Sequence, residues 1–117
     1  MDFFKPFERA LERFDEIRGV LFLDPDGESI LHFTPRMEAY NLRFVGATTA
    51  VLIKNLLTLQ PYRNLRTLEW SGNHCHVLFL PLANAYAVTV IVGPTEQFGR
   101  LRNYFFQLAS MVNGELM

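Results

Sequence analysis

The chain lacks the means to staple itself. Among 117 residues there is one cysteine, Cys75, so no internal disulfide can form. A lone thiol points to a reducing compartment, and the expected location is cytoplasmic. Long hydrophobic runs are missing too. No stretch reaches the ~18 unbroken apolar residues of a membrane span, so membrane insertion is not expected. The first residues, MDFFKPFERALERF, carry acids early and have no long apolar core, unlike a signal peptide. Charge of one sign is absent: the formal net charge is −1, which gives no global field favouring nucleic acid or an anionic membrane. No P-loop pattern, G-x-x-x-x-G-K-[ST], occurs, so the chain is not itself a P-loop nucleotide-binding protein.

What is present is core material. Half of the residues are apolar and 11 are phenylalanine. A single domain of this length buries roughly two thirds of the surface of its unfolded chain, enough for a core without metal or disulfide. No repeat, low-complexity run or linker interrupts it.

The order of elements follows from punctuation. Phe3, Phe7, Ala10, Phe14 and Ile17 recur at helical spacing, with Glu8, Arg9, Glu12, Arg13 and Glu16 opposite, and Gly19 at the expected stop. Asp24-Pro25-Asp26-Gly27 fits a type I turn and predicts a hairpin between Val20–Leu23 and Ser29–Phe33. Thr34-Pro35 reads as an N-cap and first-turn proline. A helix of ~25 residues, or roughly 38 Å, would then run to Gln60-Pro61. Three strands follow, Leu65–Trp70, Cys75–Leu80 and Tyr86–Val92. Gly93-Pro94-Thr95 leads into a last helix with Phe98, Leu101, Phe105, Leu108 and Val112 on one face, ended by Asn113-Gly114. Val20–Leu23 and Val88–Val92 are apolar on both alternating faces, so both faces of the sheet require cover. The predicted fold is α+β: a three-layer α/β/α sandwich around a five-stranded, mostly antiparallel sheet, in the order α-β-β-α-β-β-β-α.

The middle helix has more apolar surface than one sheet can cover. At roughly 100° per residue, Met37, Tyr40, Phe44, Ala47 and Val51 fall in one narrow arc, spaced as in a helix–helix seam. Leu42, Val45, Thr49, Leu52, Ile53, Leu56 and Leu57 lie nearly opposite. The broader arc, with Val45, Leu52, Ile53 and Leu56, is expected to cover the sheet. The narrow arc is then either an outward apolar patch of a kind monomers seldom expose, buried by a second copy across a two-fold axis, or is covered within one chain by the terminal helices folding over the middle one. Arg36, Arg43 and Lys54 lie on one flank between the arcs. They are either a partner-facing basic edge or an ordinary solvated flank.

Candidate chemistry is sparse. His74 and His76 would share a strand face, with Cys75 on the other, which is half of a zinc site; His32 could join only if the fold brought it near. Polar positions beside a turn account for them. Asp24 and Asp26 suit turn formation, since the spaced oxygen ligands of a calcium loop are missing. No nucleophile–base arrangement or paired carboxylate stands out, the aromatics fall at core spacing, and neither catalysis nor a cofactor or metal is expected.

With GVLFLDPDGESIL as the first hairpin and HVLFLPLANAYAVTVIVGP before the last helix, the whole pattern resembles the Roadblock/LC7 family, from about Phe7 to Gly114. It reads as a single Roadblock/LC7-like domain over 1–117. Longin and profilin-like domains share related layouts. The resemblance implies dimerisation through the middle helices and through the neighbouring strands joined into one sheet. Here that means the helix from Pro35 to Leu59 and the strand from Leu65 to Trp70, with Leu68 and Trp70 at the interface. It further implies a non-enzymatic scaffold or regulator of a small Ras-like GTPase, working with itself as a homodimer or with a paralogue. A ligand-sensing domain of PAS, profilin-like or longin type is the alternative.

Overall fold

The sheet is built from strands whose neighbouring side chains point to opposite sides and are buried on both. The computed structural model describes residues 4–33, 35–38, 41, 45, 48, 51–52, 55 and 67–116. Its order is α1 (Phe4–Arg13), β1 (Ile17–Leu23), β2 (Ser29–Phe33), then a middle helix, α2, then β3 (Leu68–Ser71), β4 (His76–Pro81), β5 (Ala87–Val92) and α3 (Phe98–Leu116). The described residues of α2 are Asn41, Val45, Thr48, Val51, Leu52 and Asn55, all helical. The strands lie in the order β2-β1-β5-β4-β3, every pair antiparallel. This is the predicted α+β sandwich.

Alternation divides the core in two. Val20, Phe22, Leu78, Leu80, Val88, Val90 and Val92 face α1 and α3, where they meet Phe7, Ala10, Phe14, Leu101, Phe105, Leu108 and Val112. Leu21, Leu23, Val77, Phe79, Ala87 and Ile91 face the other way, where Met37, Val45 and Leu68 pack on them. The terminal helices thus share one face and the middle segment takes the other, as the two-sided strands require.

The first hairpin closes as its sequence predicts. Gly27 N–H donates to the Asp24 carbonyl (3.0 Å) and Asp24 N–H to the Glu28 carbonyl (2.9 Å). Asp24 Oδ1 accepts from the N–H groups of Asp26 and Glu28. Gly27 has φ 82°, a conformation that costs glycine nothing.

Boundaries differ from expectation: β3 runs Leu68–Ser71 against the expected Leu65–Trp70, β4 and β5 begin one residue later, and the helices shift more. α1 ends at Arg13, and Ile17 and Gly19 belong to β1. Phe14 and Ile17 extend the helical spacing only because both are buried against the same face, across a tight turn held by Ile17 N–H on the Phe14 carbonyl. Pro35 does not open a helix: residues 35–38 form a turn and bend, and the first described helical residue is Asn41. The segment is held down by Arg36, whose N–H donates to the Arg18 carbonyl (3.3 Å). Finally, α3 does not stop at Asn113-Gly114 but runs to Leu116. Asn113 Oδ1 instead accepts from Ala83 N–H (2.7 Å), and Asn84 Nδ2 donates to the Leu116 carbonyl (2.7 Å). The β4–β5 connection thus supplies a donor to the last described carbonyl of the helix.

Candidate interaction surface

A four-residue edge strand and the described part of α2 carry the exposed apolar groups on one side of the sheet. β3 pairs only with β4, Leu68 opposite Phe79 and Trp70 opposite Val77. Opposed residues share a face. Leu68 and Trp70 therefore stand on the α2 side, Leu68 packed on the second core and Trp70 at its rim, 38% exposed. Glu69, on the opposite face, is held by Arg102 of α3. Among the described residues no strand lies beside the outer edge of β3. β3 carries no proline, lysine or bulge; its short length and Glu69 are what limit open-ended pairing along this edge.

On α2, Val45 is half-buried against the sheet, as expected. Val51, expected on the outer arc, is 62% exposed. Leu52, expected to cover the sheet, is 49% exposed. Its helical phase matches that of Val45, two turns earlier, so the difference comes from position along the axis: the chain covers this flank at Val45 and leaves it half open at Leu52. Burying one such side chain is worth ~1.5–3 kcal/mol.

Other expected residues are placed differently. Met37, expected on the outer arc, sits in the bend before α2 and packs on the second core. Arg36, expected on a free basic flank, is engaged within its own chain: Nη1 donates to the Ile17 carbonyl (2.6 Å) and Nη2 lies 3.7 Å from Asp15 Oδ1. Tyr40, Arg43, Phe44, Ala47 and Lys54 lie outside the described residues.

The histidines do not converge. His74 is exposed in the β3–β4 turn instead of on a strand. His76 opens β4, with Nδ1 2.6 Å from Ser71 Oγ and its ring 4.8 Å from that of Phe98. His32 lies on β2, separated from β4 by β1 and β5, or about 14 Å at ladder spacing. Among the described residues no group of three potential ligands comes together. No described helix is long and apolar enough to cross a membrane.

Comparison with solved structures gives the same layout. Myxococcus xanthus MglB superposes with a TM-score of 0.76 at 13% identity, over 99% of this chain and 98% of that one. The Roadblock/LC7 domain from Streptomyces avermitilis gives 0.72 at 14%, over 94% and 93%. The chain has the Roadblock/LC7 fold. MglC from Myxococcus xanthus matches it with a TM-score of 0.69 at 14% identity, over 98% of this chain and 99% of that one. No protein-family model and no curated protein matches the sequence. Within a Roadblock/LC7 fold, α2 and β3 are the elements the sequence resemblance ties to dimerisation.

Proposed function

We propose that this chain is a non-enzymatic homodimeric scaffold or regulator that binds a small Ras-like GTPase or a related signalling partner. The observation that carries the reading is the pairing of Val51 and Leu52, both about half exposed or more on α2, with Trp70 on an edge strand on the same side of the sheet. A second copy would cover both at once, setting helix against helix and continuing the sheet through β3. One solved MglB structure has a tetrameric arrangement, which supports assembly as a habit of this fold. The GTPase follows from the family resemblance, whose members present the paired middle helices to such partners.

The test is retention of Ras-like GTPases from the same genome, loaded with GDP or with a non-hydrolysable GTP analogue, on the immobilised chain. The reading expects one nucleotide state to be retained by wild type and lost by Val51→Asp. Retention of neither state by wild type contradicts it.

A further inference from the structure

The far side of the sheet carries a groove that the proposed dimer does not use. It runs between α1 and α3, lined by Pro6, Arg9, Tyr104, Gln107, Leu108 and Met111, with a volume of about 200 Å³. Small-molecule pockets run to ~300–1,000 Å³, so this one suits an anchoring side chain better than a metabolite. Its floor is apolar, and Met111 is 49% exposed there.

Arginines stand beside it. On α1, Arg9 lines the groove and Arg13 follows it by one turn, while Glu8 points away from α3. Arg13 is set against the groove wall, its guanidinium carbon 5.6 Å from the Tyr104 ring centroid and 5.8 Å from that of Phe14. On α3, Arg100 precedes Tyr104 by one turn and shares its flank. Among the described residues, Arg9, Arg13 and Arg100 have no carboxylate within ion-pair distance.

We infer that the α1–α3 groove docks an acidic, apolar segment of a partner protein. One apolar side chain of the segment enters above Leu108 and Met111, and its flanking carboxylates meet Arg9 and Arg13. Arginine suits carboxylates because its fork can donate two parallel hydrogen bonds. A concave site with an apolar floor favours an inserted side chain over a flat membrane surface, and the net charge of −1 provides no wider attraction to anionic lipid.

The probe is a fluorescein-labelled helical peptide of Glu-Glu-Leu-Leu repeats, with a Lys-for-Glu counterpart, titrated against the full chain by fluorescence anisotropy. The Glu peptide is expected to bind and to weaken with added salt; the Lys peptide is expected not to bind. Arg9→Glu, at an exposed position, should weaken binding ~10-fold or more with an unchanged circular dichroism spectrum. Should that variant fail to fold, Gln107→Glu on the opposite wall is expected to weaken binding in the same direction. Equal binding of both peptides, no binding of either, or indifference to the charge changes overturns the proposal. Preference for phosphatidylserine vesicles over the peptide would assign the groove to membrane. A change in sedimentation mass caused by Arg9→Glu would assign it to a second copy. Either result also overturns the proposal.

Discussion

Arg102 of α3 grips the carboxylate of Glu69 on the edge strand β3 with two guanidinium nitrogens: Nε donates to Oε1, and Nη2 to Oε2 at 2.8 Å. The same guanidinium lies over the Phe98 ring, 5.2 Å from its centroid. The hydrogen bond to Glu69 raises the Arg102 pKa despite the opposing effect of desolvation. The contact ties the last helix to the strand on which the proposed dimer depends. Both side chains are partly exposed, so the pair is worth little in absolute terms. A double-mutant cycle with Glu69→Gln and Arg102→Gln should give a coupling of ~0.5–1 kcal/mol in urea unfolding, shrinking in high salt. A coupling indistinguishable from zero at low salt would remove this anchor.

Thr89 lies at the centre of the sheet on the α2 side, between Leu21 and Phe79. It is fully buried, and its hydroxyl has no hydrogen-bond partner among the described residues. A buried hydroxyl that makes no bond keeps only its desolvation cost. Thr89→Val keeps the branched shape and removes that cost, so the urea midpoint should rise by the equivalent of ~1 kcal/mol. A fall in the midpoint would mean the hydroxyl is paired.

Phe7 holds α1 on the sheet. It is fully buried, with its ring 6.1 Å from that of Phe22 and 5.8 Å from that of Phe33. Phe7→Ala should cost ~3–5 kcal/mol by losing the transfer term and leaving a cavity. A loss below ~1 kcal/mol in chemical denaturation would show that α1 contributes little to the core.

Asp24 Oδ1 accepts two backbone N–H groups in the first hairpin. Asp24→Ala leaves both without their side-chain acceptor and should destabilise the fold by ~1 kcal/mol, while Asp26→Ala should fall within ~0.5 kcal/mol of wild type. Equal losses at the two positions would show that the turn is not organised around Asp24.

Local chemistry made much of this fold readable. Asp24-Pro25-Asp26-Gly27 carries its own turn, and the two-sided apolar strands state that both sheet faces are covered. Where the reading slipped, a contact distant in sequence decided. Ile17 keeps helical spacing with Phe14 but is paired with Val92 in the sheet. Gly114 stands where a helix commonly stops, yet Asn84 donates to the Leu116 carbonyl of the same helix from 32 positions away. Asn84 and Ala85 adopt positive φ in the β4–β5 connection, which PLANA does not announce. The interaction surface was legible in part. The exposure of Val51 follows from helical phase alone. That of Leu52 depends on where along α2 its own chain stops covering it, and Arg36 reads as free until Ile17 and Asp15 are folded beside it.

In the proposed assembly a second copy covers α2 and β3. Sedimentation velocity on the full chain at micromolar concentration tests it most directly, with Val51→Asp alongside. The account predicts a dimer for wild type and a folded monomer for Val51→Asp, since a charge at the seam would be buried without a partner. A compact wild-type monomer, or a Val51→Asp chain that remains dimeric, would contradict it.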